Sequence, residues 1–116
     1  MDTYQLPGVT VTRVSEALHD VAAERLRRTI GKYVKEGRYS HLIDLRSLAE
    51  LDSRSLAALI RALRVARDVG GSVGLIVDQP GFARILSITG LDRVFPVYKT
   101  EADATAALAR HDVVPA

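Results

Sequence analysis

The sequence predicts an α/β fold, a small mixed β-sheet of four to five strands covered by about four helices, in one domain over residues 1–116. Three observations carry this. Short runs of strand composition, Gly8 to Val14, Ser40 to Leu45 and Ser72 to Asp78, alternate with longer stretches whose apolar residues recur every three or four positions. That alternation implies parallel strands joined by crossover helices. The length of 116 residues, 47% of them hydrophobic, suits one core that removes roughly two-thirds of the unfolded chain's surface from water.

Each element has its own reason. Pro7-Gly8 is a turn signal, so Thr3 to Leu6 is expected to pair with the following run as a hairpin. In that run Val9, Val11 and Arg13 fall on one side and Thr10, Thr12 and Val14 on the other, with β-branched composition throughout. From about Leu18 to Lys35, Leu18, Ala22, Leu26, Ile30, Tyr33 and Val34 form the buried stripe of a first helix, which Gly37 ends. Ser40 to Leu45 is the next strand. A second helix is expected from about Ser53 to Val69, with Leu56, Leu59, Ile60 and Leu63 buried, and Gly70-Gly71 supply the left-handed conformations that stop it. Ser72 to Asp78 is apolar enough for a strand covered on both faces. Asp78-Gln79-Pro80-Gly81 leads into a short amphipathic helix, Phe82 to Ile88, closed at Gly90. Val94 to Tyr98 reads as an extended edge segment, since Pro96 cannot donate to a ladder. Thr100 caps a last helix through Ala109, with Asp103 in a variant of the capping box.

Composition excludes several classes. With no cysteine there is no disulfide framework, thiolate metal site or cysteine nucleophile, and a reducing compartment is expected. The first eight residues lack a basic stretch and an apolar core, and no run reaches membrane-spanning length, so a cytoplasmic location without membrane insertion is expected. The net charge of +2 and pI near 9.2 point weakly towards nucleic acid. Against it, Arg25, Arg27, Arg28, Lys32 and Lys35 are interleaved with Asp20, Glu24 and Glu36, and only 5% of residues are aromatic. Gly70 to Gly74 precedes a strand instead of opening a helix, so it is no phosphate loop. His19, His41 and His111 lie in separate elements without metal-ligand spacing, and each is expected to be a surface or partly buried side chain. No metal or cofactor site is expected.

The polar stretch Leu51-Asp52-Ser53-Arg54-Ser55-Leu56 joins the second strand-helix pair. Asp52 and Ser53 fall where side-chain oxygens accept from the unpaired first-turn N–H groups, which is sufficient reason to find them there. Opposite the apolar stripe, Arg54, Ala57, Ala58, Arg61 and Val65 form an outward face in which small residues between arginines permit close approach by another protein. Ser53 borders it, so a modification there could gate docking. A hydrolase using Ser53 or Ser55 lacks a glycine elbow and a general base, and the chain is not expected to be an enzyme.

Leu51 to Leu59 resembles the Asp-Ser-Ser/Thr-Gly-Leu segment of the STAS domains, the sulphate-transporter and anti-sigma-factor-antagonist group. The resemblance extends to Ile43-Asp44-Leu45, to Gly70-Gly71 with the strand after it, and above all to Leu86-Ser87-Ile88-Thr89-Gly90-Leu91-Asp92-Arg93-Val94-Phe95-Pro96-Val97-Tyr98, typical of bacterial anti-sigma-factor antagonists. It implies a STAS-like fold and a partner-switching regulator. Ser53 would be phosphorylated by an ATP-binding anti-sigma factor serine kinase, Asp52 would shape the helix start and contact that kinase, and Arg54, Ala57, Ala58 and Arg61 would dock it. The phosphorylated form would let go, and a phosphatase would reset it. The nucleotide would belong to the kinase, so no cofactor is implied. Ser55 stands where the family usually has glycine and is a rival acceptor; Arg54 would pair with a phosphate on Ser53. A second role implied by the same resemblance is a non-phosphorylated accessory subunit of a lipid-transport ABC complex, in which Ser53 acts only at the helix start.

Overall fold

The computed structural model describes residues 1–112, with side chains through Leu108; the His111 side chain lies outside the described set. The order is β1 (Asp2–Leu6), β2 (Val9–Arg13), α1 (Asp20–Lys35), β3 (Ser40–Asp44), α2 (Ser53–Arg67), β4 (Ser72–Ile76), α3 (Pro80–Ile88), a 3-10 turn (Leu91–Arg93), β5 (Val97–Tyr98) and α4 (Glu101–Asp112). The five strands form one sheet in sequential order, β1-β2-β3-β4-β5. Only the β1–β2 hairpin is antiparallel. Its turn is made by Gly8 at φ +76°, a conformation open to glycine without a Cβ penalty.

Strand alternation divides the core. On one face Val14, Ile43, Leu45, Val73, Leu75 and Val77 pack with the buried stripes of α1, α2 and α3. On the other, Val9, Val11, Leu42 and Ile76 are covered by Ala104 and Leu108 of α4. Each fully buried leucine in these layers stabilises the fold by about 1.5–3 kcal/mol relative to exposure. Two parallel pairings, β2–β3 and β3–β4, place the C-terminal ends of β2, β3 and β4, and hence the starts of α1, α2 and α3, at one end of the molecule.

Three expectations are corrected. The buried stripe of α2 is Ser55, Ala58, Leu59, Ala62, Leu63 and Ala66, while Leu56 and Ile60 are half-buried. The helix is therefore rotated relative to the predicted face, and Ala58 belongs to the core at 3% exposure. Extended structure at the last strand is limited to Val97–Tyr98, because the amides of Val94 and Phe95 both donate to the Leu91 carbonyl and close the 3-10 turn. Of the two glycines after α2 only Gly70 is left-handed, at φ +84°; a Cβ on Gly71 would stand 2.8 Å from the Tyr39 carbonyl oxygen, so Gly71 is required by close approach.

Candidate functional site

Asp52 is the N-cap of α2. Its backbone is extended and its Oδ1 accepts from the Ser55 amide at 2.9 Å, satisfying a first-turn donor. Its Oδ2 accepts from the His19 imidazole at 2.6 Å. The hydrogen bonds from Ser55, and after them the His19 contact, hold the Asp52 carboxyl below the usual carboxylate range. Ser53 follows as the first helical residue and is exposed. With Asp52 capping, the position of Ser53 is not explained by the capping bond.

Ser55 is fully buried, and its Oγ accepts from the Leu18 amide at 3.0 Å. This placement argues against Ser55 as a rival phosphoacceptor, since an enzyme would have to break that bond and open the core to reach the hydroxyl. Arg54 is exposed and donates to Asp20 at 2.8 Å. Ala57 and Arg61 line, with Arg54, a shallow groove of about 280 Å³ between α2 and α1. The structure thus brings Asp52, Ser53, Arg54, Ala57 and Arg61 to one surface and removes Ala58 from it.

The segment before α1 completes the site and was not identified by its sequence pattern. Leu18, His19 and Asp20 contact Ser55, Asp52 and Arg54 in turn, bracing one helix start on the other. The turn that permits this puts Asp20 at φ +44°, a left-handed conformation that Asp enters more readily than most residues. On the opposite flank of Asp52, a second depression is lined by Ala49, Leu51, Gly81, Phe82 and Ile85. His19 is accordingly part of the site, while His41 is 1% exposed, its Nε2 paired with the Thr12 hydroxyl at 2.8 Å. Among the described residues no group of three or more His, Asp or Glu side chains could hold a metal ion, and no helix is long and apolar enough to cross a membrane.

A five-stranded mixed sheet, three helix starts gathered at one end and a fourth helix on the opposite face define an α/β domain of STAS architecture. The chain belongs to the STAS domain family, whose model matches residues 1–104. An anti-sigma F factor antagonist from Paenibacillus polymyxa is 24% identical over 102 residues, which is 87% of each chain. The crystal structure of an anti-sigma factor antagonist from Mycobacterium paratuberculosis is 31% identical, with a TM-score of 0.72 over 90% of this chain and 89% of that one. The phosphorylated form of the Bacillus cell fate determinant SpoIIAA shares the fold, at a TM-score of 0.69, 19% identity and coverage of 92% and 97%.

Proposed function

We propose that this chain is an anti-sigma factor antagonist that works by partner switching. In the unmodified state the surface around Ser53, Arg54, Ala57 and Arg61 docks an ATP-binding anti-sigma serine kinase, with Asp52 and the half-exposed His19 at its edge. The kinase transfers a phosphoryl group to Ser53 and releases the product, and a phosphatase restores binding. The observation that carries the reading is the exposure of Ser53 at a helix start whose cap is already supplied by Asp52. A phosphate there adds about −1.5 to −2 charges. The α2 dipole tolerates that charge, whereas a docked partner must accommodate both its volume and its sign. Arg54, which among the described residues pairs only with the exposed Asp20, is the neighbouring cation that can become its counter-ion.

Phosphosite mapping tests the acceptor. After incubation with the kinase fraction of its own cells and ATP, the chain is expected to carry phosphate on Ser53 and none on Ser55. Ser53→Ala is expected to abolish incorporation. Label on another residue, with Ser53→Ala labelled as well as wild type, contradicts the assignment.

A further inference from the structure

The solvent side of α1 and α2 is charged far beyond the chain as a whole. Nine of the sixteen Lys and Arg residues lie on these two helices, with only two of the fourteen carboxylates. Nine minus two gives the pair a formal +7, and because the whole chain carries +2, the remainder carries −5. All nine cations are exposed. Three of them, Arg27, Arg28 and Arg54, pair with Glu24 or Asp20; the other six have no carboxylate within 4.0 Å among the described residues. Concentrating like charge on one face costs stability through self-repulsion, and mixing the two signs over the surface would avoid it.

Arg27 of α1 and Arg54 and Arg61 of α2 line one seam between the helices, while Arg25, Arg28 and Lys32 lie on the outer side of α1 and Arg67 donates to the Val94 carbonyl. A Cβ on Gly31 of α1 would meet Val65 of α2 at 3.6 Å, so the helices run close together there. The groove lined by Arg54, Ala57 and Arg61 meets, at Arg27, a second depression along α1 that holds Gly31, Lys32 and Lys35. We propose that this α1–α2 seam is a docking surface for an acidic segment of a partner protein.

The surroundings favour a protein over a nucleic acid. Asp20 and Glu24 stand in the groove itself and would face phosphodiesters, whereas an acidic polypeptide can place its own polar groups around them. Ala23 and Ala57, both half-buried, lie in the groove among Arg27, Arg54 and Arg61, the arrangement of an interface with an apolar centre and a charged rim. Tyr33, the one aromatic on the two helices, is half-buried and offers no open platform for base stacking. The surface begins beside Ser53. Resting on the phosphoswitch proposed above, a phosphate there would carry the partner's own sign and loosen its hold on the upper end of the seam.

The test uses the full chain, isotopically labelled for amide NMR, with poly-L-glutamate and a short DNA duplex as probes. Poly-L-glutamate is expected to shift amides of α1 and α2 and to bind about tenfold more weakly to the double variant Lys35→Glu/Arg61→Glu, as for charge pairs at a steered interface. Arg84→Glu, an exposed position on α3 outside the seam, is the control and should bind within about twofold of wild type, because screening limits the reach of an exposed charge. Tighter binding of the duplex than of the polypeptide, or equal loss in the control and the double variant, overturns the proposal. Neither readout involves kinase or phosphate. Its failure therefore leaves the Ser53 reading standing, and failure of phosphorylation leaves the seam standing.

Discussion

Ser53 and Ser55 lie within one helical turn, yet they meet opposite environments because the helix rotates by about 100° per residue. Ser53 is exposed and contributes no capping bond, while Ser55 is buried with the Leu18 amide as its donor. Ser55→Ala leaves that buried N–H unpaired and is expected to cost about 1–3 kcal/mol, whereas Ser53→Ala should change stability by less than about 0.5 kcal/mol. Urea midpoints of the two variants against wild type check both. The cap at Asp52 was legible because capping is a local rule that needs only neighbouring residues. The partner of Ser55 was not: Leu18 lies 37 positions away, and nothing in local spacing announces the contact. His19 was missed for the same reason, since its carboxylate partner Asp52 is on another helix.

At the scale of elements, α2 shows how periodicity determines a helix more firmly than its orientation. Leu56, Leu59, Ile60 and Leu63 outline a plausible apolar stripe, but alanines are ambiguous in such patterns, and the structure buries Ala58, Ala62 and Ala66 instead of fully covering Leu56 and Ile60. Small residues on the inward face let α2 approach the sheet and α1 closely. Ala58→Leu is therefore expected to cost about 1–3 kcal/mol through overpacking. Ala57→Leu, in the groove, should remain within about 0.5 kcal/mol of wild type while weakening capture by the proposed kinase. Thermal unfolding together with a binding assay separates the two effects. Val94 and Phe95 have strand composition, yet the αL residue Gly90 starts a turn in which the Leu91 carbonyl claims both their amides. The Ser15-Glu16-Ala17-Leu18-His19-Asp20 segment contains no glycine, and Asp20 itself takes the left-handed conformation at the entry to α1.

At the scale of the molecule, the α/β class and the burial of the Ser72 strand on both faces followed from alternation and composition, whereas the sequential strand order β1-β2-β3-β4-β5 did not, because alternation leaves the neighbours of each strand open. The charge segregation did not, since a total of +2 conceals +7 on two helices and −5 elsewhere. Global stability also has a pH dependence set by burial. His41, enclosed beneath α1 with its Nδ1 unpartnered among the described residues, is pushed by desolvation from 6.5 down to about 4. Between those values the unfolded chain binds the proton and the folded chain does not. The stabilisation is thus complete above the unfolded value, falls as pH drops towards 4, and amounts to at most about 3 kcal/mol. His41→Gln, which keeps a partner for Thr12 and does not titrate, should flatten the urea-midpoint profile across that window; a profile as steep as wild type would assign the slope elsewhere. Carboxylates such as Asp44 act lower on the scale: burial alone would raise that carboxyl, but Arg46 and Arg13 together hold it down.

In the proposed switch, one phosphate at the start of α2 controls partner choice. The most direct measurement is the affinity of the purified cognate anti-sigma kinase for wild type, Ser53→Ala and Ser53→Asp, each confirmed as folded. The first two are expected to bind alike and Ser53→Asp at least about tenfold more weakly, a loss of about 1.4 kcal/mol. Equal affinity for all three, or retention of a transporter ATPase by all three in place of the kinase, would contradict it and leave Ser53 as an ordinary helix-start residue.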